Sequence, residues 1–354
     1  MGHGNWRVGS AHEGSAVRVA DKNFAYLIVR TKCLASAPLM RILPVAAVLV
    51  AFSASLFAAD PAKGWSFSEG KGQRDVLFNG KTVLRHMNEW DPARRDETFK
   101  PYTHVFDFAG NAPITKGPGG NFTHHRGLFI GWNKTLFGGK SYDFWHCKNV
   151  IRRHVKYLSE QEKADANAAT MVSVAEWPTP DGTVVVRETQ TITATKPAEG
   201  RLQLDVSFKL EAPNGPVKLE GDVQHAGFHF RAAQEVNQRQ KETAYILPHG
   251  AVLKKGDVYE QCNWVVCQFN IGETRYAVAH FNDPKNATPV QYSTRAYGRF
   301  GAYSKTEIVA GETLNLRYRV IVTDTAKVPV GTVADWQKQF DAFAGTAPTT
   351  AVKR

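Results

Sequence analysis

Histidine and arginine are concentrated near position 124 of this 354-residue chain, where His124, His125 and Arg126 follow a glycine-rich stretch. A neutral imidazole accepts or donates a proton near pH 7, and a guanidinium holds a carboxylate or stabilises a developing oxyanion. Because side chains alternate along a strand, His124 and Arg126 are predicted on one side and His125 on the other. The three residues are candidates for acid–base chemistry. The alternative is that they brace the junction between loop and strand.

A second polar segment runs from His225 to Arg231. Strand alternation places His225, His229 and Arg231 on one face, and an alanine and two phenylalanines on the other. We expect the apolar face to be buried. The opposite face is predicted to line a cleft, because exposed strand faces usually carry Lys, Thr or Glu. Glu235 continues the same register and is a candidate carboxylate partner.

Aromatic residues near these segments are candidates for shaping a ligand pocket. Tyr102 and His104 share one strand face, where they could hydrogen-bond a polar ligand. Trp132 and Trp145 offer flat surfaces on which the C–H faces of a sugar ring can pack. Each of these residues could instead belong to the ordinary core of the protein.

The histidine spacings give little support for a metal site. His225 and His229 would lie roughly 13 Å apart on an extended strand, at about 3.3 Å per residue, so they could not both ligate one ion. The sequence has no His-Glu-Xaa-Xaa-His and no zinc-type Cys/His spacing. A site assembled across strands from His104, His124 and His225 is the minority alternative. We therefore expect no cofactor and no metal.

The pattern of apolar residues predicts an all-β fold. Asn79-Gly80 between two short apolar runs is typical of a hairpin with a type I′ turn, and a second hairpin is predicted across 171–195. Residues 201–210 alternate apolar and polar side chains. Helical spacing occurs only in 333–343. The predicted architecture is a large antiparallel β-sandwich with a short C-terminal helix.

The N-terminal part of the chain predicts export. Residues 40–59 contain a basic residue, an apolar run and a small-residue end, the layout of a secretory signal peptide cleaved near Ala58 and Ala59. Residues 1–39 fit poorly ahead of such a peptide and are interpreted as a misassigned extension. The remaining chain is predicted to form one β-sandwich domain over 60–345 and a flexible tail over 346–354. Its expected location is the periplasm, the cell envelope or the exterior.

Composition and motifs exclude several classes of function. The net charge of +11 comes from Lys and Arg spread along the chain without a dense run, so no nucleic-acid partner is expected. After residue 59, no apolar stretch approaches the ~20 residues that a membrane-spanning helix needs. P-loop, dinucleotide-binding and Gly-Xaa-Ser-Xaa-Gly motifs are absent from the sequence.

Four segments resemble a bacterial family labelled methane oxygenase PmoA, also described as a domain of unknown function. The segments are Lys100–His104, Thr123–Trp132, Asp143–Trp145 and Gly311–Arg319. The block His124-His125-Arg126-Gly127 is the most specific of them. The resemblance implies a large β-sandwich similar to the galactose-mutarotase superfold, which binds or acts on carbohydrate. Methane oxidation is not expected, because the predicted mature chain has no spanning helix.

The leading hypothesis is an exported carbohydrate-active enzyme with epimerase-, lyase- or hydrolase-like chemistry on a sugar or sugar acid. His124, His125 and His229 would transfer protons, and Arg126 would hold or polarise the ligand. The other candidates would bind substrate; they are Tyr102, His104, Trp132, Trp145, His225, Arg231 and Glu235. A glycan-binding envelope protein without catalytic activity is one alternative, and a metal-dependent oxygenase is another. The sequence leaves the oligomeric state open.

Overall fold

Antiparallel strands account for most of the chain in a computed structural model that describes residues 63–346. The predicted signal peptide and N-terminal extension lie outside these residues, as does the tail beyond 346. Within 63–346, no helix is both long and apolar enough to cross a membrane.

The strands of the first half are β1 (Trp65–Gly70), β2 (Gln73–Phe78), β3 (Lys81–Met87), β4 (Tyr102–Val105), β5 (Leu128–Trp132), β6 (Lys134–Phe137), β7 (Lys140–Tyr142), β8 (Arg153–Tyr157), β9 (Lys163–Ala164), β10 (Ala168–Pro178), β11 (Val184–Ala198) and β12 (Arg201–Glu211). Those of the second half are β13 (Val217–Glu220), β14 (Ala226–Arg231), β15 (Ala244–Ile246), β16 (Val252–Lys254), β17 (Val258–Glu260), β18 (Trp264–Ile271), β19 (Thr274–Asn282), β20 (Gln291–Arg295), β21 (Arg299–Tyr303), β22 (Thr306–Ile308) and β23 (Thr313–Asp324). The α-helices are α1 (Arg95–Thr98), α2 (Gln234–Gln238) and α3 (Val333–Gly345), and short 3₁₀ turns cover Pro92–Arg94, Ser159–Gln161 and Gln240–Glu242.

Two large sheets and one small sheet organise these strands. The first large sheet has ten strands in the order β1-β2-β3-β4-β5-β14-β21-β20-β17-β16. The second runs β15-β18-β19-β23-β12-β11-β10-β8, with β9 paired to β10. The small sheet has the order β22-β13-β6-β7. The predicted all-β, antiparallel sandwich is confirmed.

The main core is formed by apolar side chains of both large sheets. On β12, the five residues Leu202, Leu204, Val206, Phe208 and Leu210 are buried, and their neighbours are partly exposed. This is the period-two pattern expected from the sequence. On β14, Ala226, Phe228 and Phe230 join the same core.

Local turn chemistry determines the first hairpin. Asn79 and Gly80 both have positive φ angles, 51° and 75°, and they join paired residues Phe78 and Lys81. Positive φ at both central positions defines the type I′ turn, which Asn-Gly favours. The predicted hairpin is therefore confirmed.

The C-terminal helix α3 covers the outer side of the second sheet. Its side chains Trp336, Phe340 and Phe343 are buried against Phe281 and neighbouring strand residues. Thr332 and Asp335 form a reciprocal capping box at its first turn. This cap satisfies backbone donors that would otherwise lack partners. The predicted helix is confirmed.

The outer face of the ten-stranded sheet, away from the main core, is covered by loops. A Cβ at Gly131 of β5 would lie 2.7 Å from the carbonyl oxygen of Phe144, so the 143–147 loop packs directly on the strand. A Cβ at Gly301 of β21 would lie 2.5 Å from the ring of His229. Glycine at these two positions makes room for the loop and for that imidazole.

Candidate functional site

Three histidines from different loops meet above the outer face of the ten-stranded sheet. One ring nitrogen from each of His124, His146 and His225 lies within 4.8 Å of the other two. All three side chains are half-buried. Burial and the neighbouring His146 lower the pKa of His124 to about 2, which keeps its imidazole neutral at pH 7. Neutral imidazoles are the form that ligates a transition metal.

Two carboxylates orient this three-histidine cluster. Nδ1 of His146 donates to Asp143 at 2.8 Å, and Nδ1 of His225 donates to Asp222 at 2.9 Å. The carboxylates thereby occupy the Nδ1 side of both rings and leave Nε2 as the nitrogen available to a ligand. A carboxylate that accepts from the second nitrogen of a metal-binding histidine is the usual outer layer of such sites.

His146 and His225 lie in two separate turns of the same type. Each follows an aspartate by three positions, and the carboxylate also accepts from backbone N–H groups within the turn, at Trp145 and Gln224. Asp side chains favour such turns because they mimic a backbone acceptor. His146, Asp143 and Asp222 were not among the candidates predicted from sequence. The repeated Asp-Xaa-Xaa-His spacing, visible in the sequence, could have revealed them.

His124 and His125 do not follow the alternation predicted for them. Strand β5 begins only at Leu128, and residues 121–124 form a turn. The two rings therefore lie close together, with centroids 4.2 Å apart, and are not on opposite sides of a strand. The structure brings His125 to the cluster beside His124.

His125 is the buried neighbour of the cluster. Only 1% of its surface is exposed, and neither ring nitrogen has a hydrogen-bond partner among the described residues. Burial, with the nearby His124 and Arg299, lowers its pKa well below the usual value. A neutral imidazole with both nitrogens free can exchange a proton with a ligand at this position.

His229 and Trp145 lie below His125, and their ring centroids are 4.6 Å apart. Nε2 of His229 donates to the carbonyl oxygen of Ala226 at 2.9 Å, and Nδ1 lies 3.4 Å from Nη1 of Arg299. Both of its nitrogens are thus engaged by the protein. This arrangement favours a supporting role for His229 over the proton transfer expected from sequence.

The polar face of β14 does not line an open cleft, because loops bury it. His229 and Arg231 are both fully buried, and the adjacent Arg299 of β21 is 1% exposed. Arg231 and Arg299 are directly paired in the register of β14 and β21. The side chains of this face therefore form a buried layer beneath the three-histidine cluster.

Arg126 braces the structure. Its guanidinium donates to the carbonyl oxygens of Thr123, Glu97 and Asp96, and it lies 4.0 Å from the ring centroid of Phe99. Burial lowers its pKa to about 10. The structure thus favours the bracing alternative over ligand binding for this residue.

An aromatic pair forms the rim of the site. Phe122 and Tyr297 stack with ring centroids 4.9 Å apart, and both rings lie near His125, at 5.7 and 6.2 Å. Phe122 is 47% exposed and has a left-handed φ of 55°. Non-glycine residues in this region are uncommon, and such strain is often found at binding sites. Neither aromatic residue was a candidate in the sequence.

Other predicted residues lie outside the cluster. Trp132 points into the main core, where its ring centroid is 6.2 Å from that of Trp177. Glu235 pairs with Arg239 at 3.0 Å and accepts from the Gly272 amide. His104 is held by Thr115 at 2.9 Å and by Tyr102 at 3.3 Å. The minority ligand set is therefore changed, with His146 in the place of His104.

Residues 73–336 match a family model described as a family of unknown function, DUF6807. This match spans most of the chain. The protein belongs to the DUF6807 family. No curated protein sequence matches it. The methane oxygenase label suggested by the sequence motifs is not part of this finding.

Solved structures with similar folds include two sugar-related proteins. An aldose epimerase (GalM) homologue from C. elegans has 8% identity and a TM-score of 0.33, with 74% of this chain and 98% of that chain covered. A glycoside hydrolase family 97 enzyme from Pseudoalteromonas sp. strain K8 has 12% identity and a TM-score of 0.32, with coverage of 68% and 34%. This member of DUF6807 therefore spans about a third of the hydrolase. Similarity at this level does not support an argument about function.

Proposed function

We propose that this protein is a metal-dependent enzyme that acts on a polyhydroxylated, sugar-type substrate. The observation that carries the proposal is the convergence of His124, His146 and His225 within 4.8 Å, with two of the rings held by carboxylates. This observation changes the expectation of no metal drawn from sequence spacing. His124 and His225 belong to the metal alternative considered from sequence, and His146 takes the place of His104.

The ligand set favours a catalytic ion over a structural one. Structural zinc sites use four protein ligands, whereas catalytic sites use three and keep one position open. Zinc–nitrogen bonds of about 2.0–2.1 Å place tetrahedral ligand atoms about 3.3 Å apart, so ring nitrogens that lie within 4.8 Å of one another would need to approach by at most about 1.5 Å. When bound, such an ion polarises a substrate oxygen or lowers the pKa of a bound water.

His125 is the candidate acid–base group beside this centre. Its ring centroid is 4.2 Å from that of His124, and neither of its nitrogens has a hydrogen-bond partner within 63–346. Burial keeps its imidazole neutral at pH 7, so the ring has one N–H and one lone pair with which to exchange a proton with a hydroxyl or a water. The sequence predicts proton transfer by both His124 and His125. We now propose that His124 ligates the metal and that His125 exchanges the proton.

The rim supports the assignment of a sugar-type substrate. The exposed ring of Phe122, stacked on Tyr297, offers an apolar surface next to the polar cluster. A sugar ring has C–H faces that pack on aromatic rings and hydroxyls that can ligate an ion. Trp145, expected from sequence to contact the sugar, is fully buried and supports the site from below.

Metal analysis of the purified protein tests the proposal. We expect about one transition-metal ion per chain, lost in His124→Ala, His146→Ala and His225→Ala. His249→Ala is the matched control, because His249 is exposed and lies outside the cluster. Chelation should abolish any turnover found in a screen of sugars, sugar acids and glycosides. A wild-type protein that stays metal-free after dialysis against zinc, iron, manganese and copper would refute the metal centre.

The same experiment addresses a second candidate, the oxygenase implied by the sequence resemblance. Three imidazoles also suit iron and copper. Stoichiometric iron or copper with oxygen consumption would favour the oxygenase, and zinc with hydrolysis or isomerisation would favour the first proposal. Saturable glycan binding without any product would favour the non-catalytic alternative.

Export is also proposed, on the composition of residues 40–59. Cell fractionation of the expressed full chain should place it outside the cytoplasm, with an N-terminus near Asp60. Recovery of a chain that begins at Met1 in the cytoplasm would contradict this.

A further inference from the structure

Two buried arginines beneath the three-histidine cluster have no carboxylate partner among the residues that the structure describes. Arg231 donates to the carbonyl oxygens of Ala232 and Tyr297, and Arg299 donates to the hydroxyl of Ser293 at 2.9 Å. Nε and Nη2 of Arg231 and Nε of Arg299 are buried and have no partner among residues 63–346. A buried charge without a counter-ion is costly, so such groups are normally paired.

Within the part of the chain that the structure describes, the other basic side chains around this layer bond to backbone carbonyl oxygens and not to carboxylates. Lys100 donates to the carbonyl oxygen of Trp145, and Lys116 donates to that of Gly117 at 3.0 Å. Arg126 bonds only to backbone oxygens. Burial lowers the pKa of Lys116 to about 8 and that of Arg231 to about 10. The two guanidiniums of this layer thus have no counter-ion among residues 63–346.

The arginine pair, Arg231 and Arg299, is continuous with the proposed active site. Nη1 of Arg299 lies 3.4 Å from Nδ1 of His229, whose ring packs on Trp145. The guanidinium carbon of Arg231 lies 4.7 Å from the ring centroid of Tyr297, which belongs to the rim. Tyr297 also stacks on Phe122 and lies 6.2 Å, centroid to centroid, from His125, so the arginine pair adjoins both the rim and the cluster.

We propose that the arginine pair binds the carboxylate of the substrate, so that the enzyme acts on sugar acids. The choice of substrate class rests on the proposed function. The guanidinium fork matches a planar carboxylate with two parallel N–H···O bonds, and the unpartnered Nε and Nη2 of Arg231 form one edge of that fork. The carboxylate would neutralise the arginine pair while the hydroxyls of the same molecule reach the cluster.

Calorimetric titration of the full-length, metal-loaded protein tests this inference, with D-glucuronate, D-glucose and D-glucose 6-phosphate as probes. We expect glucuronate to bind at least tenfold more tightly than glucose. Arg231→Lys and Arg299→Lys should each weaken glucuronate binding about 10- to 100-fold, because a charged hydrogen bond is lost, and this loss should be at least tenfold larger than any loss of glucose binding. Arg295→Lys is the matched control, since Arg295 faces Arg299 across β20 and β21 but donates to Gly256.

The results separate this inference from the proposed function. A full metal content with equal affinity for glucuronate and glucose would overturn the arginine site and leave the metal centre intact. A strong preference for glucuronate over glucose in a protein that binds no metal would support the arginine site and refute the metal centre. Tighter binding of the sugar phosphate than of glucuronate, or an unchanged preference in both lysine variants with native circular dichroism, would also overturn the inference.

Discussion

Asp222 accepts a hydrogen bond from Nδ1 of His225 at 2.9 Å and a second one from the side-chain amide of Asn133 at 2.7 Å. The carboxylate is thus held on one side by the strand connection after β5 and orients the imidazole on the other. Asp143 has the equivalent relationship to His146. These contacts predetermine which nitrogen of each ring faces the cluster.

Removal of either carboxylate should weaken metal binding without removing a ligand. Asp222→Ala and Asp143→Ala are each expected to reduce metal affinity about 10- to 100-fold, the usual effect of losing such a partner. Competition titration with a chromophoric chelator measures this. Asp341→Ala, on the exposed side of α3, serves as the control. Unchanged affinity in both variants would contradict the proposed ligand arrangement.

Metal should stabilise the folded protein by mass action. At a free ion concentration of 1,000 times Kd, the free energy of unfolding should rise by about 4 kcal/mol. For a domain of this size, we expect a Tm increase on the order of 10 °C. Differential scanning fluorimetry with and without added zinc measures the shift. An equal shift in His146→Ala would show that the ion binds elsewhere.

Gly131→Ala should damage both stability and metal binding. The added methyl would meet the carbonyl oxygen of Phe144 at 2.7 Å, a backbone atom that cannot rotate away. We expect a loss of about 1–3 kcal/mol in the free energy of unfolding, and weaker metal binding because the loop carrying His146 is displaced. Urea denaturation and metal titration test both effects. Gly345→Ala, where the Cβ meets no atom within 4 Å, should change neither.

The core contains a buried ion pair whose disruption should be costly. Arg152 bonds to Glu188, and their side chains are 1% and 6% exposed. Glu188 also accepts from Nε1 of Trp177 at 2.9 Å. Glu188→Ala leaves an uncompensated buried guanidinium, so we expect a loss of about 3–5 kcal/mol in urea denaturation. Glu199→Ala, which removes the exposed partner of Lys327, should have no measurable effect.

Acid should destabilise the fold through its buried histidines. His280 is fully buried, and burial lowers its pKa to about 3 from an ordinary value of 6.5. Below pH 6.5, the unfolded chain therefore binds a proton at His280, whereas the folded chain does not. The stability contribution is complete above pH 6.5 and is lost progressively as the pH falls toward 3.

At pH 5, this effect amounts to about 2 kcal/mol for one such histidine. Urea titrations of the wild type and His280→Gln at pH 7 and pH 5 isolate it. The variant should lose about 2 kcal/mol less than the wild type between the two pH values. An identical loss in both proteins would argue against this origin.

The fold was predictable because its signals are local. The Asn79-Gly80 turn, the alternation in β12 and the apolar stripe of α3 each depend on residues close in sequence. Local preference and the buried pattern agree at all three places. That agreement is what allows secondary structure to be inferred from a single sequence.

The site was only partly predictable because it depends on contacts between distant loops. Alternation predicts His124 and His125 on opposite sides of a strand, yet these residues precede β5 and lie at a turn closed by the bond from the His125 amide to the Phe122 carbonyl. Arg126 was expected to face a ligand, but backbone carbonyls of the α1 region surround it. The Asp-Xaa-Xaa-His spacing marks His146 as a candidate, but its place in the cluster depends on the packing of its loop on Gly131, which the sequence does not show.

The pairing of β5 with β14 places Trp132 opposite Ala226, one residue after His225. Since neighbouring strands fix the loops that carry the ligands, a slip of one residue in this pairing would turn the strand over and separate the rings. For this reason, metal would bind only to chains whose β5 and β14 have paired in the correct register. The rate at which the refolding protein binds metal would therefore report how fast the central strands of the ten-stranded sheet form.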